Sequence, residues 1–259
     1  MRLIIISGAN GALGIAYLNY FKNKTDIKCA AIVRSEFRAN IPNISVINAD
    51  LLNAKKIKAE IENIDLSEIS DVIFIHPVGK FKFEKTGKPE IDENNDGIDD
   101  EIYESNVETF LNVVNPLIVK LGKEAKNNNF ISLAICAFGS ISDRYNIRFW
   151  HSYTKAKNKL KNFIWYITQK DSYRGLIRGV FVNVSTTDTG NENKLRPFAD
   201  KKYWLSCKEI VEQSAPLLLE TSVQWKEIDI YKPVPDFNSN YYTNIGKILK
   251  KWNKEMGKK

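Results

Sequence analysis

Short apolar runs alternate along this chain with longer stretches in which apolar positions recur every third or fourth residue. A continuous apolar run bounded by turn residues fits a strand buried on both faces, whereas the wider spacing fits a helix with one buried side. Strands are predicted at Arg2–Ser7, Ile27–Val33, Ile44–Asn48, Asp71–His76, Phe130–Phe138, Leu176–Val184 and Lys226–Tyr231. Helices are predicted over Ala12–Lys22, Ala54–Ile61, Glu104–Lys126, Trp150–Thr168 and Lys208–Glu220. In the third of these, Phe110, Val113, Val114, Leu117, Ile118 and Leu121 share one side; in the fourth, Ala156, Leu160, Phe163, Ile164 and Ile167 do. Such alternation predicts an α/β fold, a single-domain doubly wound parallel sheet of about seven strands with helices on both faces. Residues 1–231 are assigned to it, and 232–259 to a C-terminal extension. Open sheets of this kind take ligands beyond the carboxyl ends of their strands, where the strand order reverses. Candidate chemistry is therefore sought in the turns.

Composition narrows the class. Of 259 residues, 43% are hydrophobic and 27% charged, which is enough apolar material for a real core. No apolar stretch is long enough to span a membrane. The opening run Leu3–Ile6 passes into glycines and reads as a buried strand rather than a leader, so a cytoplasmic protein is expected. Cys29, Cys136 and Cys207 show no paired spacing, and there are only two histidines, His76 and His151, so neither a disulfide framework nor a metal site is expected. The formal charge is +7, and the stretch Lys247–Lys259 holds six lysines against one glutamate. A basic tail can touch nucleic acid, but a solvated helix end is the expected role. Asp92–Asp100 resembles a calcium loop with alternating oxygen ligands, yet Tyr103 stands where the bidentate acid belongs.

The turn after the first strand reads Ser7-Gly8-Ala9-Asn10-Gly11-Ala12-Leu13-Gly14 and opens a helix. Gly8 permits the tight turn, Gly11 lets a pyrophosphate approach the backbone, and Gly14 lets the helix pack closely. Free N–H groups at the helix start then face the phosphates. Asn10, Ala12 and Leu13 belong to the same cofactor turn. The second strand ends in Arg34-Ser35 rather than an acid, which suits a 2′-phosphate and predicts NADP(H) over NAD(H), although Glu36 lies beside them.

The fifth strand runs toward Ser140, and thirteen residues later come Tyr153 and, one helical turn on, Lys157. A serine at a strand tip, Tyr-x-x-x-Lys at a helix start and a dinucleotide turn upstream together resemble the short-chain dehydrogenase/reductase family, from about Arg2 to Tyr231. The resemblance implies a Rossmann fold and an oxidoreductase that interconverts a carbonyl and an alcohol by hydride transfer. In it Tyr153 would be the acid/base, Lys157 its partner and a holder of the nicotinamide ribose, Ser140 the group holding the substrate oxygen, and Asn106 the asparagine completing a proton relay. Asp50 and Leu51 would lie near the adenine. A homodimer or homotetramer is implied as well.

The chain departs from the family after the fourth strand, where His76-Pro77-Val78-Gly79 replaces Asn-Ala-Gly, and after the sixth, where Ser185-Thr186 replaces Pro-Gly. His76 and Gly79, and then Ser185 and Thr187, are assigned to the cofactor side; His76 alternatively bonds backbone at its strand end. Arg144, Arg148 and neighbouring aromatics are expected at the substrate mouth or in solvent. The stretch Thr187–Cys207, with Phe198, Tyr203 and Trp204, occupies the place of the substrate lid and would suit a sugar or other polar cyclic compound. Two other readings stay open: an extended-type nucleotide-sugar epimerase or dehydratase, suggested by the glycine spacing, and a cofactor-sensing regulator or scaffold without turnover.

Overall fold

The computed structural model describes residues 1–84, 86, 88–145, 147–232 and 243–258. Its centre is one seven-stranded sheet, β1 (Arg2–Ser7), β2 (Ile27–Val33), β3 (Ile44–Asn48), β4 (Asp71–His76), β5 (Ser132–Ser140), β6 (Ile177–Val184) and β7 (Trp225–Ile230). The strands lie in the order β3-β2-β1-β4-β5-β6-β7, every neighbouring pair parallel. The order reverses between β1 and β4, so the turns after those two strands open side by side into a crevice.

Period-two alternation in β1 divides the core. Leu3 and Ile5 face one layer with α2 (Ala54–Glu62), α4 (Thr109–Lys126) and α5 (His151–Gln169), while Ile4 and Ile6 face the other with α1 (Ala12–Phe21) and α7 (Cys207–Leu219). Both faces of β4 are buried throughout, which explains its unbroken apolar run. Between β4 and α4 the chain forms a short helix, α3 (Asp100–Tyr103), then a π turn over Glu104–Glu108. A short helix α6 (Gly190–Leu195) lies between β6 and α7. The last helix, α8 (Ile245–Glu255), buries Ile248 and Trp252 in a third cluster with Ile147, Phe149 and Trp150.

Two expectations change. The fifth strand starts and ends two residues later than predicted, because its pairing with β6 continues through Gly139–Asn183 and Ser140–Val184; Ser140 is thus the last strand residue, and Phe130 is left outside. The basic tail is not a solvated end. Its lysines alternate with Ile248, Leu249, Trp252 and Met256, which pack on the body of the protein. Among the described residues no helix is long and apolar enough to cross a membrane.

Candidate active site

One cavity of about 960 Å³ opens at the carboxyl edge of the sheet. Gly8, Gly11, Ala12, Leu13 and Gly14 line one end of it. Gly8 has φ of 58°, a left-handed conformation that suits glycine, and a Cβ at Gly14 would sit 2.8 Å from both Gly8 O and Ala9 Cα. No side chain caps the first turn of α1, so its leading N–H groups face the cavity end unblocked. Asn10 does not line the cavity. It donates to Glu36 O (2.9 Å) and Ser35 Oγ (3.5 Å) and accepts from Arg38 N (2.9 Å), pinning the loop after β2 against the glycine turn. Arg34 and Ser35 are exposed at the β2 tip. Asp50 and Leu51 lie outside the cavity lining: Asp50 accepts from Leu52 N, and Leu51 O accepts from Asn112.

The other end gathers Ser140, Tyr153 and Lys157 on the same cavity wall. Ser140 Oγ lies 2.7 Å from Ser142 Oγ, which accepts from the Trp150 indole at 3.2 Å. An indole N–H can only donate, so Ser142 is free to pass its own hydrogen to Ser140, leaving the Ser140 hydrogen for a ligand oxygen. Lys157 Nζ stands 5.4 Å from the centre of the Tyr153 ring. Burial lowers the Lys157 amine to about 8, against the opposing charge of Asp143. Burial first, then the charges of Asp143 and Glu192, hold the Tyr153 phenol well above its ordinary value. Desolvation and the two carboxylates thus keep the proton on Tyr153, which rests as a proton donor.

Asn106 is buried within the π turn, where its amide donates to Lys80 O and Ile102 O, both at 2.9 Å. Its Oδ1 is buried without a partner, and it crowds the Gly79 backbone together with Lys157 Nζ. Asn106 does not line the cavity itself, although Gly79 does. His76 is fully buried and also outside the lining: Nδ1 lies 2.8 Å from Ser7 Oγ and Nε2 3.5 Å from Thr109 Oγ1. Burial, helped by Lys157, keeps this imidazole neutral. It bridges β1, β4 and α4 rather than lining the cavity.

The roof of the cavity comes from α6 and α8. Arg196, just past α6, is buried; it donates to Glu192 (2.6 Å), Glu255 (2.9 Å) and Thr186 (3.0 Å), and lies over the rings of Trp204 (5.2 Å) and Trp252 (4.2 Å). Trp252 continues into an aromatic group with Trp150, Phe81 and Phe83, at ring separations of 5.0 to 5.4 Å. Ser185, Thr187, Tyr203 and Trp204 line the cavity, whereas Phe198 is 71% exposed and stands outside the lining. Arg144 pairs with Asp229 and Arg148 donates to Thr86 O, so neither reaches the mouth.

No protein-family model and no curated protein matches the sequence. Solved structures do. An actinorhodin polyketide ketoreductase variant with NADPH superposes at a TM-score of 0.72 over 91% of this chain and 98% of that one, at 12% identity. The 3-ketoacyl-(acyl-carrier-protein) reductase of Brucella melitensis with NADH gives 0.68 over 89% and 96%, at 14% identity. A short-chain dehydrogenase from Burkholderia cenocepacia with NADP gives 0.65 over 96% and 92%, at 15% identity. This chain has the short-chain dehydrogenase/reductase fold. Within that fold the glycine end offers what a dinucleotide needs: unblocked helix N–H groups, a backbone without side chains, and, farther along, a buried Ser185 Oγ with no partner. The short-chain dehydrogenase fold here also carries features that sequence reading passed over, namely Ser142, Asp143, Arg196 and Trp252. Trp252 had a signal, the Ile245-Ile248-Trp252 helical stripe, masked by the lysines around it.

In the segment likened to a calcium loop, the oxygens are already engaged. Asp92 accepts from the N–H groups of Asp96 and Gly97, Asp96 pairs with Lys159, and Asp99 pairs with Lys82. Among the described residues no group of three or more metal-binding side chains is assembled.

Proposed function

We propose that this protein is an NADP(H)-dependent carbonyl reductase or alcohol dehydrogenase with Tyr153 as the acid/base. The observation that carries the reading is that Ser140, Tyr153 and Lys157 line the same cavity as the uncapped start of α1. The glycine turn would hold the pyrophosphate, Lys157 a ribose and Ser185 a polar group of the nicotinamide. A bound nicotinamide supplies or takes the hydride. In the reducing direction the Ser140 hydroxyl holds the carbonyl oxygen while negative charge builds on it, and Tyr153 donates its proton there. Lys157, whose amine is lowered to about 8, would return the proton to Tyr153. Arg34 and Ser35, kept beside the glycine turn by Asn10, support the 2′-phosphate preference. Tyr203, Trp204 and Trp252 among Thr186, Thr187 and Asn191 favour a polar cyclic substrate, such as a sugar. Val119, Trp165 and Tyr166 are exposed on α4 and α5 and support a homo-oligomer built through those helices.

The test is a fluorescence titration with NADPH and NADH followed by a screen of carbonyl substrates. Tyr153→Phe should lower turnover about 10²- to 10⁴-fold while leaving cofactor affinity unchanged. Undiminished turnover in that variant refutes the mechanism, because phenylalanine has no proton to give.

A further inference from the structure

Asp143 lies in the tight turn that follows β5, and the reaction as proposed makes no use of it. Its side chain is buried. One carboxylate oxygen accepts from the Ser140 backbone N–H at 2.7 Å; the other accepts, at a longer 3.4 Å, from the Thr154 hydroxyl. Ser140 bears the oxygen-holding hydroxyl, and Thr154 follows Tyr153 in the first turn of α5. One carboxylate thus ties the strand end to the helix turn, spanning the two groups whose separation the chemistry depends on.

We propose that Asp143 is a positioning residue that clamps Ser140 to the first turn of α5 and so brings its carboxylate up to the Tyr153 and Lys157 pair. The electrostatic part rests on which groups face one another. Tyr153, Lys157 and Lys161 of α5 act on Asp143 or feel it; Glu192, from α6, also acts on Tyr153, and Lys157 acts on His76 of β4. Burial raises the Asp143 carboxyl to about 7, close to the Lys157 amine at about 8, so both change charge near neutrality. Asp143 raises the proton affinity of Tyr153 and of Lys157, and its removal must lower both. The folded state also holds the Asp143 proton more tightly than the unfolded chain does. Its contribution to stability therefore declines as pH rises from about 4 to about 7.

The proposal rests on the oxidoreductase reading, but its first test needs no substrate. Trace acetylation with acetic anhydride across pH, read by mass spectrometry, gives the midpoint at which Lys157 becomes reactive. Asp143→Asn keeps an oxygen for the Ser140 N–H and removes the charge, and should move that midpoint down by about half a unit or more. An unmoved midpoint overturns the proposal. With a substrate in hand, Asp143→Ala should lower kcat about ten-fold beyond Asp143→Asn, with the cofactor Kd held within about two-fold. Equal losses in the two variants overturn the clamp. If neither variant folds, carboxyl-carbon NMR of the wild-type protein decides: a midpoint near 7 supports the proposal, and an ordinary carboxylate midpoint sinks it. Absence of any carbonyl turnover would defeat the oxidoreductase reading while the acetylation midpoint still judged Asp143.

Discussion

The two ends of the cavity are built by opposite means. At the glycine end the surface is largely backbone: Gly8, Gly11 and Gly14 leave the start of α1 bare. At the roof the surface is side chain, with Arg196 held between Trp204 and Trp252 and paired to Glu192 and Glu255. A backbone surface has little room to adjust, since a Cβ added at Gly11 or Gly14 meets main chain and one at Gly8 meets the Val78 side chain. A side-chain surface can repack, so changes there should be graded. The difference suits a shared cofactor at one end and an individual substrate at the other.

Substitutions can break or sharpen that contrast. The largest effect is expected from Gly14→Val, whose side chain would press on Gly8 O and Ala9; dinucleotide affinity should fall about 100-fold or more by fluorescence titration. Retained affinity would mean that the bare turn is not the cofactor end. Arg196→Met comes next. It removes the buried cation that Glu192 and Glu255 share and leaves Glu255 only its longer pair with Lys251, which costs on the order of 3 kcal/mol and lowers the melting temperature. Substrate KM should rise about ten-fold while cofactor Kd stays nearly fixed; a matching rise in cofactor Kd would erase the distinction between the ends. Arg34→Ala should have the smallest effect, reducing the ratio of NADPH to NADH affinity about ten-fold at an exposed site and leaving NADH binding intact. A ratio that does not change would remove the basis for 2′-phosphate recognition.

What the sequence revealed divides along the same line. The sheet, its helices and the glycine turn follow from local rules, because apolar periodicity and the glycine spacing each act over a few residues. Ser140, Tyr153 and Lys157 were singled out through the family resemblance, and they share one wall because a strand end, one connection and one helical turn separate them. The roof was not. Arg196 meets Glu255 across 59 residues, and no local pattern announces that pairing. The tail was read by its charge, yet its buried stripe decides where it goes. A histidine at a strand tip has the same sequence appearance whether it faces a ligand or, as His76 does, Ser7 and Thr109. Nothing in the local sequence marks Asp143, because the Ser140 N–H and Thr154 hydroxyl it accepts from are brought to it only by the fold.

The π turn at Glu104–Glu108 acts as a phase shifter between two helical segments. Its extra residue offsets α3 from α4 by about 100° relative to an unbroken α-helix. The loosened carbonyls of Ile102 and Ser105 are met by Asn106 and Thr109, so the insertion is locally stabilised rather than frayed. Deleting one residue there would restore ordinary winding and rotate everything upstream. Asn106 would then lose Lys80, and the loop carrying Gly79 and Phe81 would be turned away from the wall it helps to form. A single-residue length change, chemically silent in itself, is therefore among the most disruptive edits this chain can undergo.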